Sequence, residues 1–133
     1  MTFEADLHRA KGSGSAKKGR SHWIVQRVTA IALIPLSLWF VTTFIMLVSA
    51  PFEQVCFWLA SVWTVSLSIL FMCVLFYHGA LGVQVIWEDY IPHEGMRWGF
   101  VLATKFLSIV LSLIATVCIL KIYLIDTMSI LSL

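Results

Sequence analysis

The sequence predicts an all-α membrane protein with three transmembrane helices, its N terminus inside and its C terminus outside. Three observations carry that expectation. Of 133 residues, 60% are apolar and only 12% charged, which does not suit a soluble globule. Charges are almost absent from Val28 to Phe52 and from Gln54 to Trp87, and a third apolar run, Gly99 to Leu124, carries Lys105 and Lys121 near its ends. Each run exceeds the roughly 20 residues that cross a bilayer's hydrocarbon as a helix. The runs are continuously apolar instead of alternating, so the strands of a closed barrel, the other spanning structure that satisfies its backbone in lipid, are disfavoured. Finally, Arg9, Lys11, Lys17, Lys18, Arg20 and Arg27 precede most of the first run against only Glu4 and Asp6, and positive charge of this kind stays on the cytoplasmic side, or the matrix side of a mitochondrion.

Three parts follow from this: a polar basic segment at 1–20, a three-helix transmembrane domain over 21–124, and an apolar tail at 125–133. The first segment contains KGSGSAKKGR, Lys11 to Arg20, which cannot bury an apolar face on its own. It reads as a topology determinant attracted to anionic membrane lipid, or as a contact for a soluble partner subunit; no nucleic-acid partner is expected. A secretory signal is disfavoured because the apolar run from Val28 is too long for one and lacks a small-residue cleavage site. A transit peptide is poorly served by Glu4 and Asp6.

The first span opens with SHWIVQR, Ser21 to Arg27. Ser21 suits an N-cap and Trp23 the interfacial aromatic belt, which places Arg27 about one turn inside the helix. Arg27 is open to two readings: snorkelling to lipid headgroups, or pairing with a carboxylate, either a cofactor's or that of Asp89. Pro35 falls inside the span, where a proline frees a carbonyl and kinks the helix. Ser49-Ala50-Pro51 closes it. The second run, Gln54 to Trp87, is longer than one straight crossing needs, with Phe57, Trp58 and Trp63 expected at the outer interface. EDYIPHEGMR, Glu88 to Arg97, is a polar connection broken by Pro92 and Gly95, and Trp98 anchors a third span that runs to about Leu124. The tail beyond it is expected to lie at the outer interface. Cys56, Cys73 and Cys118 form no CxxC pair and read as apolar filler.

The chemistry concentrates in FYHGALGVQVIWEDY, Phe76 to Tyr90. On a helix, His78, Gly82, Val85 and Asp89 share one stripe by i, i+4, i+7, i+11 spacing. His78 lies ten residues before Glu88, roughly 15 Å along a helix, so it sits near the middle of the bilayer or slightly inward. An ionisable group at that depth marks a functional site by default. Two readings of it stand side by side: an imidazole hydrogen-bonded to a neighbouring helix, or an axial ligand to haem iron. The small residues Gly79, Ala80 and Gly82 favour the second, because they let a flat ligand or another helix approach. His8, His22 and His93 lie in polar flanks, so a haem b held by two histidines needs its second ligand from another chain. Asp89 and Tyr90 fall at the inner rim, where a phenol can donate to a quinone carbonyl and a carboxylate can relay protons; Trp87 and Tyr90 are equally what an aromatic belt looks like.

Two patterns, SHWIVQRVTAI (Ser21 to Ile31) and HGALGVQVIWEDY (His78 to Tyr90), make the chain resemble the small hydrophobic membrane anchors of succinate dehydrogenase, the respiratory succinate:quinone oxidoreductase (complex II) of proteobacteria and mitochondria. The resemblance covers about Ser21 to Leu124. It implies a subunit of the electron-transport chain and tricarboxylic acid cycle without succinate chemistry of its own and with no catalytic residue for that step. In the family a flavoprotein subunit oxidises succinate, and an iron–sulfur subunit passes the electrons to ubiquinone at a site built with two anchors. The small anchor and a larger cytochrome-b-type anchor hold one haem b between them. Carried onto this sequence, the resemblance implies that His78 ligates the haem iron, that Tyr90 with Asp89 binds quinone, and that Arg27 and His22 approach the haem propionates or the quinone pocket. The implied location is a bacterial cytoplasmic (inner) membrane, with the mitochondrial inner membrane second. The competing expectation, from a different class, is a small non-redox transport or structural subunit in which His78 and Asp89 are packing or proton-relay groups.

Overall fold

The computed structural model describes residues 15–131, with side chains described from Gly19 to Ile125. Expectations placed on residues 1–14 and 132–133, and on the side chains of Lys17, Lys18 and Asp126, lie outside the described residues. Four helices follow in order: α1 Ser15–Leu47, α2 Phe52–Leu59, α3 Val62–Tyr90 and α4 Glu94–Leu131. Among the described residues there is no strand. Three of the helices contain stretches long and apolar enough to cross a membrane, Gly19–Leu47, Val62–Tyr90 and Glu94–Ile125.

α1 starts earlier than the sequence suggests. Ser21 is not an N-cap but lies within the helix, and Arg27 stands about three turns from its start instead of one. Lys17, Lys18 and Arg20 are ordinary helix formers, so a charged N-terminal turn extends the apolar span without a break. The helix continues through Pro35, and just beyond it Ser37 Oγ donates to the Ile34 carbonyl oxygen at 3.1 Å.

The second apolar run is two helices, not one. α2 ends where the Ala60 N–H donates to the Cys56 carbonyl, and Ser61 then turns extended, with φ −74 and ψ 126. The Ser61 carbonyl accepts the Val65 N–H at 3.1 Å and so opens α3. Hydropathy cannot register this break, because apolar residues flank it on both sides. α2 stacks Trp58 on Trp39 of α1, with ring centroids 5.7 Å apart, while Phe52 and Phe57 face outward.

α3 is the central helix, packed against both α1 and α4. Against α1, Phe40 stacks on Phe71 at 4.5 Å. Against α4, Ser108 Oγ donates to the Phe76 carbonyl oxygen at 2.8 Å, Trp87 Nε1 donates to Thr104 Oγ1 at 2.9 Å, and the Trp87 ring stacks on Phe100. Both pairings are antiparallel. The most buried residues, Thr64, Val65, Ser68, Phe71, Ala80 and Leu81 on α3 with Val101 on α4, form a thin seam between the helices. α3 ends at Tyr90, after which Ile91 is extended as the residue before a proline must be. The third span reaches beyond Leu124: α4 continues to Leu131 with no break at the start of the tail.

Candidate functional site

His78 lies on α3 twelve residues before its end, about 18 Å from Tyr90 along the axis. It is half-buried and turned toward α1, where its Nδ1 lies 2.9 Å from Thr29 Oγ1. No hydrogen bond within the described residues reaches its Nε2. Four residues on, a Cβ at Gly82 would meet only Gln26 Nε2 of α1, at 3.7 Å, and a Cβ at Gly79 would meet nothing within 4 Å. The small residues thus do two jobs: Gly82 lets the amide of Gln26 lie against α3, and Gly79 leaves open surface beside the imidazole.

On α1 the groups turned to α3 form a polar stripe, His22, Gln26 and Thr29, at i, i+4, i+7. His22 Nε2 is buried and makes no hydrogen bond, and Gln84 Oε1 on α3 is in the same condition. An unpartnered buried polar atom costs about 1–3 kcal/mol, and both atoms are closed over by this chain's own residues. The other end of Gln84 is satisfied, its Nε2 donating to Glu88 Oε1 at 2.7 Å.

Arg27 departs from one of its two expected roles. It forms no ion pair with Asp89; its Cζ lies 5.4 Å from the centroid of the Trp23 ring, one turn below on the outward face of α1. The antiparallel register explains this. Thr29 lies opposite His78 and Gln26 opposite Gly82, so residue 27 is level with the turn between them, while Asp89 stands about two turns nearer the rim. The guanidinium is exposed and faces away from α3.

Asp89 and Tyr90 are both exposed at the end of α3, Tyr90 by 80%. The structure therefore puts the expected residues in two places: His78 with the polar stripe of α1 at depth, and Asp89 with Tyr90 at the rim. At that rim a cleft of about 300 Å³ is lined by Glu88, Arg97, Trp98 and Val101, and Arg97 reaches Glu94 at 3.8 Å. Thr29 and Thr104 had no sequence signal as members of this arrangement, since a hydroxyl in an apolar helix ordinarily bonds its own preceding turn. Gln84 and Glu88 show one in hindsight, an i, i+4 pair of polar residues at the inner end of an apolar run.

The family model described as succinate dehydrogenase/fumarate reductase transmembrane subunit matches residues 1–119. The chain belongs to this family. Curated relatives include the succinate dehydrogenase hydrophobic membrane anchor subunits of Rickettsia bellii, 36% identical over 80% of this chain and 86% of that one, and of Rickettsia conorii, 32% identical over 81% and 86%. That of Rickettsia typhi is 26% identical over a similar span, 80% of this chain. No solved structure matches the chain significantly.

For a membrane anchor subunit of this family, the residues present fit a haem. Among the described residues no group of three or more His, Cys, Asp and Glu is placed to hold a bare metal ion. A single histidine suits a metal that arrives with most of its ligands already in place, as iron in a porphyrin does. The unpartnered Nε2 and the open surface at Gly79 suit such a group.

Proposed function

We propose that this chain is the small anchor of a succinate:quinone oxidoreductase, giving one axial ligand to a haem b shared with a larger cytochrome-b-type anchor and part of the wall of the ubiquinone site. His78 holds the iron through Nε2, and the shared haem would supply a one-electron store between the iron–sulfur subunit and the quinone. Arg27 and His22 would approach the haem propionates or the quinone pocket, Arg27 from the outward face of α1 and His22 from the stripe beside Gln26. Tyr90 donates its phenol to a quinone carbonyl at the rim, and Asp89 beside it holds or passes a proton, since quinone reduction consumes protons along with electrons.

The N terminus lies inside and the end of α4 outside, in a bacterial cytoplasmic membrane, by the placement of basic residues ahead of α1. The rim of α3 then faces the iron–sulfur subunit, through which the flavoprotein subunit is reached. The observation that carries the reading is His78 itself: a histidine at membrane depth with one nitrogen engaged by the neighbouring helix and the other left without a partner. The test is a reduced-minus-oxidised optical spectrum of the purified complex. Wild type is expected to show the alpha band of low-spin haem b and His78→Ala to lose it; a band of unchanged position and amplitude in the variant removes His78 from the haem.

A further inference from the structure

The hydroxyl of Thr29 carries a single proton and sits 2.9 Å from the Val25 carbonyl oxygen and 3.1 Å from that of Gln26, two groups that only accept. Its proton therefore returns to its own helix, as in the back-bond typical of threonine within a helix. That leaves a lone pair of Oγ1 facing His78 Nδ1 at 2.9 Å. In the tautomer this arrangement favours, Nδ1 carries the imidazole hydrogen and donates it to Oγ1, and Nε2 carries the lone pair. The opposite tautomer would turn the Thr29 proton away from both carbonyls, set oxygen lone pairs against each other, and leave Nε2 protonated and unable to bind a metal.

We propose that Thr29 is a positioning residue for the His78 ligand: by accepting the Nδ1 hydrogen it selects the tautomer, fixes the ring plane and leaves the Nε2 lone pair to the metal. This rests on His78 being an axial ligand. Threonine suits the task beyond its hydroxyl, because its β-branched side chain has few χ1 states and its proton is tied to two carbonyls of α1. The ring on α3 is thereby referenced to α1, the helix that also bears Arg27. Hydrogen-bond donation from the far nitrogen of a ligating histidine strengthens the ligand and favours the more oxidised metal.

The experiment uses the full complex with Thr29→Val, which keeps the shape and deletes the acceptor, and Thr29→Ser, which restores it. Thr29→Ala serves in place of valine if that complex does not assemble. In the hydroxyl-free variants the haem midpoint potential is expected to rise, so that more haem is reduced at a fixed ambient potential. The low-spin EPR signal of the oxidised haem is expected to shift, and haem retention to weaken on the order of tenfold, the low end for loss of a partner behind a metal ligand. Thr29→Ser should return all three toward wild type. A merely structural role for Thr29 would lower complex stability and leave the potential and EPR signal where they are; that result, with His78→Ala losing its haem band, overturns the proposal alone. Should His78→Ala keep the band, the axial-ligand reading falls first and this one with it.

Discussion

Tyr90 closes α3 with its ring in the open and its hydroxyl bonded to nothing within the described residues. If its phenol donates a hydrogen bond to a quinone carbonyl, Tyr90→Phe loses turnover on the order of tenfold, the loss of a hydrogen bond of about 1.5 kcal/mol, while the haem spectrum stays intact. Quinone reductase activity and a difference spectrum on the same preparation check this; wild-type turnover and quinone KM would leave Tyr90 as an aromatic-belt residue only. The positions of His78, deep on α3, and of Tyr90, at its exposed end, were legible in the sequence because an ionisable group inside an apolar run and an aromatic beside a charge at its end mark depth and rim. Thr29 was not legible, since its part is defined by what stands opposite it on another helix. An Arg27–Asp89 pair, one of the partners open to Arg27, does not form for the same reason: helical spacing places groups along one helix, whereas the level at which two helices meet is set by packing, here by Gly82 admitting Gln26.

Among the elements, α3 is held to α4 by the bond from Trp87 Nε1 to Thr104 Oγ1 and the stacking of Trp87 on Phe100. Hydrogen bonds between membrane helices average about 0.6 kcal/mol and reach about 1.7. A double-mutant cycle of Trp87→Phe and Thr104→Val, read by unfolding in mixed detergent, should give a coupling in that range, and additive single effects would show that the bond contributes nothing. The three spans were legible as continuous apolar runs. The division of the second run at Ala60 and Ser61 was not, because both sides of it are equally apolar and the break is a matter of backbone angle. The start of α1 escaped for the opposite reason: its first turn is polar and basic, so composition marked it as separate from the span although nothing in its residues opposes a helix.

At the scale of the whole molecule, burial is thin and centred on α3, and large side chains such as Ile31, Ile34, Leu38, Phe106 and Ile109 are more than half exposed. Lipid tails cover such surface as readily as protein does, so apolarity alone does not tell the two apart. His22 Nε2 and Gln84 Oε1 are buried and unbonded within the bundle, a cost this chain carries by itself. Synthesised without the other subunits of its complex, a chain so thinly buried is expected to accumulate several-fold less, as destabilised proteins do under cellular proteolysis; pulse-chase labelling with and without the partner genes measures it, and equal half-lives would contradict it. One last feature bears on how the molecule is handled. If α1, α3 and α4 each cross once, as their length and apolarity allow, Ser15 and Leu131 emerge on opposite sides. A fluorescent or affinity tag joined past the far helix would hang in the compartment across from one joined ahead of the first, and antibodies or proteases added to sealed vesicles would reach one label while sparing the other.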